Sequence, residues 1–270
     1  MHYDVDDKAT TTPTTLTILT PASAGLIFSA DRHLILRYHQ KMCGRYFLEA
    51  SLQDIEAVVG PLTCRIRLQP RYNIAPEQPI PVVRNDAMGE RRLDLVRWGL
   101  VPSWSKGPDR RYSMINARAE SIAEKPAFRA ALRYRRCLVP ASGFYEWRPT
   151  GRGHKQPFVI RRADRGLLMF AGVWEQWMDP HGNELESCSI VVTEANEAVR
   201  PVHDRMPVIL EEPNLAYWLD RGHQHTDDLV PLLKPSNPQD LEVYRVSREV
   251  NNPEQEGSRL IQPEEDPSLF

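Results

Sequence analysis

The sequence predicts an α+β fold in which a mainly antiparallel sheet curls into a barrel and a few helices lie outside it. Many short apolar runs with strand character follow one another at gaps of hairpin length, which is typical of antiparallel sheets and barrels. Only a few segments show helical spacing. Because no repeat and no internal linker interrupts this pattern, we expect one domain over residues 42–263.

Residues 1–41 differ in composition from the rest of the chain. They open with acidic residues, continue through a Thr-rich tract and carry the wrong charge for a secretory signal. We expect a disordered extension, or upstream sequence from a wrongly chosen start that precedes Met42. A pro-segment removed before Cys43 is the alternative. Residues 264–270 are expected to form a loose tail.

The first half of the domain combines one clear helix with two strands. Apolar residues recur at helical spacing after Leu48, Ser51 with Asp54 resembles a capping box, and Gly60 ends the pattern. The predicted elements of this half are a helix (Leu48–Gly60), an irregular segment (Arg71–Pro76), two strands (Ile80–Arg84, Arg92–Trp98) and a loop (Val101–Tyr112).

Strands dominate the second half, where runs rich in apolar and aromatic residues are bounded by turn residues. The predicted strands are Arg136–Val139, Phe144–Trp147, Pro157–Arg161, Leu167–Val173, Ser187–Thr193, Pro207–Leu210 and Leu241–Val246. The predicted helices are Ala119–Glu124, Ala127–Arg133, Glu194–Val199 and Asn214–Asp220.

The charge of the chain is uneven. The net charge is -2, which excludes a wholly basic DNA-coating protein. Between Arg84 and Arg136, however, 13 Lys and Arg residues face 6 Asp and Glu residues. A basic middle on a near-neutral protein fits a local anionic ligand, although an ordinary solvated surface has the same composition.

The cysteine pattern argues against a metal site and a disulfide framework. The four cysteines are Cys43, Cys64, Cys137 and Cys188, and they form no CxxC pair. We therefore expect a reducing, cytoplasmic setting with no metal and no cofactor. No apolar run reaches membrane-spanning length, so we expect no membrane partner.

The stretch from Met42 to Tyr46 carries the most informative chemistry. Removal of Met42 would leave Cys43 with a free α-amine beside its thiol, and an aldehyde that meets both groups can close a five-membered thiazolidine ring. The α-amine has an ordinary pKa of about 7.7–8.0, so part of it is unprotonated near neutral pH. A thiolate is a strong nucleophile that is partly populated near neutrality. The alternative is an internal cysteine buried as a small apolar residue.

Three polar residues further along are candidates for proton transfer and orientation. Glu146 lies in a predicted strand; facing inward, its pKa would rise and suit acid-base work, although spacing alone slightly favours an ordinary strand-edge carboxylate. His203 could move a proton near pH 7 or simply satisfy a hydrogen bond. Asn116 could bind a sugar oxygen and an amine, or stabilise a turn.

Three further residues are candidates for binding a nucleic acid. Arg45 and Arg118 would bind phosphates, the alternative being surface salt bridges. Trp104, in a Pro-containing loop, could stack on a base, the alternative being core packing.

Taken together, six motifs resemble the SOS response-associated peptidase (SRAP) family, the abasic-site processing proteins. They occur in the family's order, and the resemblance runs from Met42 to about Pro263. The motifs are Met42–Tyr46, Arg71–Pro76, Trp98–Pro102, Ile115–Glu120, Gly143–Trp147 and His203–Pro207.

This resemblance implies a fold, a function and a set of roles. It implies a protein, expected to be monomeric, that binds single-stranded DNA at abasic sites and links its N-terminal cysteine to the sugar aldehyde, a lyase-like chemistry of the DNA-damage response. Cys43 would be the nucleophile, Asn116 would orient the sugar, Glu146 would be the general acid-base and His203 would assist proton transfer. The implied DNA contacts are Arg45, Asn73, Pro76, Trp104, Arg118 and Thr193.

The sequence departs from the family pattern in two places. Cys43 is internal in the chain, and an amide nitrogen cannot form an imine, so the thiazolidine requires a new N-terminus at Cys43. Ser105 stands where the family often has a second aromatic after Trp104, which predicts either weaker wedging between bases or wedging by another side chain.

Two rival functions stay open. A thiol peptidase would use Cys43, His203 and Glu146 as nucleophile, base and orienting group, with residues 1–42 as the segment released by self-cleavage. A non-catalytic single-strand binding module would bind without preference for an abasic site and with strong salt dependence.

Overall fold

The computed structural model describes residues 43–64, 66–109, 114–151 and 153–264, and strands dominate these ranges. The strands are β1 (Tyr46–Leu48), β2 (Thr63–Cys64), β3 (Arg71–Ile74), β4 (Pro79–Asn85), β5 (Arg91–Trp98), β6 (Asn116–Arg118), β7 (Arg136–Ala141), β8 (Gly143–Pro149), β9 (Lys155–Arg162), β10 (Leu168–Met178), β11 (Glu184–Glu194), β12 (Arg205–Pro207) and β13 (Leu241–Arg245). The α-helices are α1 (Leu52–Val59), α2 (Arg129–Tyr134), α3 (Glu212–Leu219) and α4 (Thr226–Leu229).

Five strands close into a small barrel. The pairing runs from β11 through β10, β7 and β4 to β5, and β5 pairs back with β11. The closing pair is parallel, with Cys188 beside Trp98, whereas the other barrel pairs are antiparallel. Closure leaves these five strands without free edges. The α+β prediction, with a curled, mainly antiparallel sheet, is therefore confirmed.

A second, antiparallel sheet covers one side of the barrel. Its strand order is β13-β9-β8-β1-β3. Tyr46 and Phe144 of this sheet meet barrel residues in one buried cluster: the Tyr46 ring lies 5.5 Å from Trp98, and Phe144 lies 5.9 Å from Phe170. Gly143 lets β1 and β8 approach closely, because a Cβ there would lie 2.5 Å from the Phe47 ring.

The helices pack on the barrel through a separate cluster. Ile55 of α1 and Trp218 of α3 are fully buried there against barrel residues such as Leu138. The α1 helix begins after the predicted capping box, in which Ser51 and Asp54 bond each other's backbone N–H groups, and not at Leu48, which belongs to β1. It ends at Gly60, whose φ of 82° favours glycine.

A third cluster covers the far face of the second sheet. Alternation along β8 directs Tyr145 to this face, while Phe144 and Glu146 share the face toward the barrel. The C-terminal segment contributes Val250 and Leu260 to the cluster beside Tyr145. The catalytic candidate Glu146 thus belongs to the side of β8 that faces the barrel.

The structure confirms most predicted strands and corrects four elements. Arg71–Ile74, predicted to be irregular, is strand β3 paired with β1. Residues 119–124 form turns rather than a helix, because Ala119 N–H continues the β6–β11 pairing by bonding Val192 and Pro126 follows closely.

The other two corrections lie on either side of His203. Residues 197–202 form turns rather than a helix, and the Asn196 side chain accepts from Val199 N–H. The strand predicted at Pro207–Leu210 overlaps the observed strand only at Pro207, because Arg205–Pro207 pairs with β11 and Ile209 forms only an isolated bridge with Phe170. Residues 110–113 of the predicted Val101–Tyr112 loop lie outside the described residues.

Candidate functional site

Cys43 and Glu146 meet in a buried site between the second sheet and the barrel. The backbone N–H of Cys43 donates to Glu146 Oε1 at 2.7 Å. Cys43 is 4% exposed and Glu146 is 2% exposed. Cys43 also has a φ of 41°, a left-handed conformation that is uncommon for a residue with a side chain. The Cys43 nitrogen, which the resemblance implies is a reacting atom, is therefore hydrogen-bonded to the carboxylate of Glu146, the implied general acid-base.

Burial changes the acid-base properties of both side chains. Burial raises the pKa of Glu146, an effect partly offset by His203 and by hydrogen bonds from Cys43. Burial, followed by the charge of Glu146, raises the pKa of the Cys43 thiol well above its ordinary value. A strand-edge role for Glu146 is therefore wrong, and Cys43 is held as a thiol rather than as a partly populated thiolate. The sulfur needs a base to react.

Asn116 approaches Cys43 from the barrel side. It begins β6, which runs parallel to β11 with Asn116 beside Ile190. Its Nδ2 donates to the Cys43 carbonyl oxygen at 3.5 Å, a long contact. Asn116 is half-buried, so its amide borders the site and can also face an entering ligand.

His203 completes the group from the turn before β12. Its backbone N–H bonds Val199 O, and its Nδ1 accepts from Arg205 N–H at 3.1 Å. Asp204 Oδ1 lies 3.0 Å from the same nitrogen. His203 also acts electrostatically on Glu146. The structure thus brings together all four catalytic candidates, from four separate segments.

The predicted DNA-binding residues divide into an exposed and a buried set. Trp104 is 67% exposed in the loop after β5, so it is not a core residue. Arg118 is exposed at the end of β6, and Pro76 is half-buried in the turn after β3. These three side chains can meet a ligand without rearrangement of the fold.

Arg45, Asn73 and Thr193 are buried instead. Arg45 Nη1 donates to Asn73 Oδ1 at 2.6 Å and to Val250 O at 2.9 Å, and burial lowers the pKa of Arg45 to about 10. Thr193 is 4% exposed in β11, opposite Met206. Contact of Arg45 and Thr193 with phosphate, and of Asn73 with DNA, stays a prediction.

Arg205 is a candidate site residue that the sequence reasoning missed. Its Nη1 forms an ion pair with Glu120 Oε1, and its charge lowers the pKa of the Cys43 thiol, against the larger effects that raise it. A basic side chain so close to the reacting residues fits an anionic ligand. The signal was present in the sequence, because Arg205 belongs to the same short motif as His203.

The described residues hold no cluster of three or more His, Cys, Asp or Glu side chains suited to a metal ion. Within the same ranges no helix is long and apolar enough to cross a membrane.

Comparison with known proteins gives a consistent result. The family model for the SOS response associated peptidase (SRAP) matches residues 42–253. The abasic site processing protein YoqW of Bacillus subtilis is 41% identical over 223 residues, which cover 82% of this chain and 99% of that protein. The abasic site processing protein YoaM of the same organism is 41% identical over 225 residues, covering 83% and 99%. A crystal structure of a protein from Bacteroides thetaiotaomicron superimposes with a TM-score of 0.73 at 25% identity, covering 82% of this chain and 100% of that chain.

Proposed function

Because this chain belongs to the SRAP family, we propose that it processes abasic sites by linking Cys43, as the N-terminal residue, to the sugar aldehyde in single-stranded DNA. The observation that carries this proposal is the 2.7 Å bond between the Cys43 nitrogen and the buried carboxylate of Glu146. Asn116 and His203 stand around the same two residues. This is the set of groups that a thiazolidine-forming site needs.

The chemistry balances without any redox step. The Cys43 amine adds to the aldehyde carbon, and the former carbonyl oxygen leaves as water to give an imine. The sulfur then adds to the imine carbon, and the thiol proton goes to nitrogen. One carbon–nitrogen and one carbon–sulfur bond form, and one water is lost. The product hides the electrophilic carbon and so blocks strand cleavage by β-elimination.

Glu146 is suited to every proton transfer in this sequence. An abasic sugar is mostly a closed hemiacetal, so opening it needs an acid, and imine formation needs a proton for the departing water. A carboxyl group with a raised pKa can donate near neutral pH. The same group then accepts the proton of the Cys43 thiol, which burial keeps protonated. His203 supports these transfers, and Asn116 orients the sugar oxygen.

DNA would reach the site along the exposed set of residues. Trp104 offers an exposed aromatic face on which a base can stack, and Arg118 offers a solvent-facing cation for a phosphate. Ser105 leaves Trp104 without a second aromatic neighbour in the sequence, which favours shallow stacking. This protein would act in the cytoplasm at damaged DNA.

The mechanism requires that the mature polypeptide begin at Cys43. The family model begins at residue 42, and YoqW aligns over 99% of its own length while covering 82% of this chain. Both matches support the proposal that residues 1–41 are a segment outside the crosslinking domain. Loss of residue 42 would also remove the left-handed constraint at Cys43, because φ is defined by the preceding carbonyl.

The proposal is tested by mixing abasic single-stranded DNA with protein that begins at Cys43. We expect a complex that survives a denaturing gel and that disappears in Cys43→Ala. Cys43→Ala and Cys43→Ser both keep the α-amine but have no thiol, so each should form only a labile imine that borohydride traps. A denaturation-resistant complex of equal yield in Cys43→Ala would refute the proposal.

A second candidate function is self-cleavage between residues 42 and 43. The Cys43 nitrogen is the leaving group of that reaction. Its hydrogen bond to Glu146 favours self-cleavage, because Glu146 can then protonate it. The Cys43 sulfur would attack the carbonyl of residue 42, Glu146 would protonate the nitrogen, and water would hydrolyse the thioester. Intact mass spectrometry of the full chain over time tests this: appearance of a polypeptide starting at Cys43 supports it, and an unchanged mass contradicts it.

A further inference from the structure

The C-terminal segment lies across the far face of the second sheet, opposite the reacting residues. We call residues 247–261 the strap. Val250, Leu260 and Ile261 of the strap are buried in one cluster with Phe47 and Tyr145. None of these side chains belongs to the catalytic group, and Tyr145 points to the opposite face of β8 from Glu146.

Asn73 fastens the strap to β3. Its Nδ2 donates to the carbonyl oxygens of Asn252 and Gln255, each at 2.9 Å, and lies 3.4 Å from that of Val250. Its Oδ1 accepts from Arg45 Nη1 at 2.6 Å. Asn73 is fully buried, so each of these bonds replaces hydration that the amide has lost.

Arg45 connects this network to the reacting end of the chain. Its guanidinium also donates to Val250 O at 2.9 Å and lies 5.9 Å from the ring centre of Trp147. Its backbone carbonyl accepts from Tyr145 N–H at 3.0 Å, which places Arg45 beside β8 and two residues from Cys43. The side chain and the main chain of Arg45 are therefore both fixed.

The strap and β3 together hold the residues on either side of Glu146. Trp147 Nε1 donates to Asn251 Oδ1 at 2.7 Å, and the Tyr145 hydroxyl donates to Tyr72 O at 2.7 Å. Because neighbours in a strand point to opposite faces, fixing Tyr145 and Trp147 on the far face fixes Glu146 on the reacting face.

We propose that Arg45 is a positioning residue that, through Asn73 and the strap, holds the Cys43 nitrogen at bonding distance from Glu146. This inference rests on the proposed function and assigns Arg45 a role other than binding a phosphate. A phosphate ligand would have to be accessible, whereas Arg45 is 7% exposed and bonds a carboxamide and a backbone carbonyl. The strap thereby becomes part of the crosslinking apparatus although it contributes no reacting group.

Free 2-deoxyribose separates the two roles of Arg45, because this sugar carries the aldehyde but no phosphate. We would measure its addition to protein beginning at Cys43 by intact mass, for wild type, Arg45→Met and Arg45→Lys. Misplacement by about 1 Å can cost about 10²-fold, so we expect Arg45→Met to slow addition at least about tenfold. Arg45→Lys keeps a donor and should recover part of the rate. If Arg45 only binds phosphate, all three proteins should add deoxyribose at equal rates.

Arg161→Met is the matched control. Arg161 is also a buried arginine on the second sheet, 5% exposed, and it lies 5.6 Å from the ring centre of Phe47, but it bonds Glu49 rather than the strap. We expect it to lower the unfolding temperature as Arg45→Met does, yet to change the deoxyribose rate less than twofold. If Arg161→Met slowed deoxyribose addition as much as Arg45→Met does, the slowing would reflect general destabilisation and the inference would be overturned.

A second pair of variants covers the case in which Arg45→Met does not fold. Trp147→Phe keeps an aromatic ring but removes the bond to Asn251, and Asn251→Ala removes the same bond from the strap side. Both should slow deoxyribose addition, and the double variant should slow it no more than either alone. Normal rates in both would overturn the inference. A wild-type protein that reacts with neither deoxyribose nor abasic DNA would instead refute the proposed function, so the two failures are distinct.

Discussion

Replacement of Glu146 by Gln tests the carboxylate as the acid-base group while changing the shape of the site very little. Gln keeps an oxygen that can accept from the Cys43 nitrogen, a bond of 2.7 Å in the structure, but it can neither donate nor take up the reaction's protons. General acid-base catalysis contributes about 10²–10⁴-fold. We expect the maximal crosslinking rate of Glu146→Gln to fall by about 10²-fold or more, which is about 2.7 kcal/mol of transition-state stabilisation.

The free energy of unfolding of Glu146→Gln should not fall together with its crosslinking rate. Burial raises the folded-state pKa of Glu146 above its unfolded value. The folded state therefore binds this proton more tightly, and the associated stability is present below an unfolded pKa of about 4.3 and lost as the pH rises through the folded pKa. In the full chain, Glu146→Gln should be as stable as wild type at acidic pH and more stable at neutral pH.

Two measurements decide the outcome. Single-turnover crosslinking at saturating abasic DNA gives the rate for protein that begins at Cys43, and urea unfolding of the full chain at two pH values gives the free energy of unfolding. A slow variant that is equally or more stable at neutral pH agrees with the reasoning. A Glu146→Gln protein that crosslinks at the wild-type rate would refute the assignment of Glu146.

The exposed DNA-binding candidates and the close packing at Gly143 give three further predictions. Arg118→Ala should raise the half-saturating DNA concentration and reduce the slope of log affinity against log salt by about 0.7, the value for one phosphate contact on a single strand, in a binding titration. Trp104→Ala should weaken binding by about 1–3 kcal/mol without changing that slope, because base stacking is not ionic; an altered slope would contradict stacking. Gly143→Ala should lower the free energy of unfolding by about 1–3 kcal/mol, since its Cβ would lie 2.5 Å from the Phe47 ring; a stability equal to wild type would contradict this packing.

Local patterns were enough to predict the helix α1 and most strands. Ser51 and Asp54 form the expected capping box because its partners lie three residues apart. Strand β3 could not be predicted in this way. Its residue Asn73 bonds backbone carbonyls of the strap 179 and 182 residues further along the chain, so the contacts that fix its conformation are not local.

The candidate site was likewise only partly predictable from local sequence patterns. Spacing along β8 could not decide which face Glu146 occupies, because Tyr145 and Trp147 on either side suit both a buried and an exposed edge. The face that Glu146 occupies is set by tertiary packing, because the barrel packs against one face of β8 and the strap covers the other. The roles of Cys43 and His203 came from a resemblance between motifs, since no spacing in the sequence relates segments that meet only in the folded protein.

The most direct test of the central claim compares three N-termini on one abasic single strand: protein beginning at Cys43, protein beginning at Met42, and the full chain. The crosslinked product of each is digested and its mass is measured. A thiazolidine needs a free α-amine on Cys43, so we predict rapid crosslinking with loss of one water for the first protein only, and crosslinking of the others only after their mass shows a new N-terminus at Cys43. A full chain that crosslinks irreversibly at the same rate, with residues 1–42 still present in the product, would contradict the account.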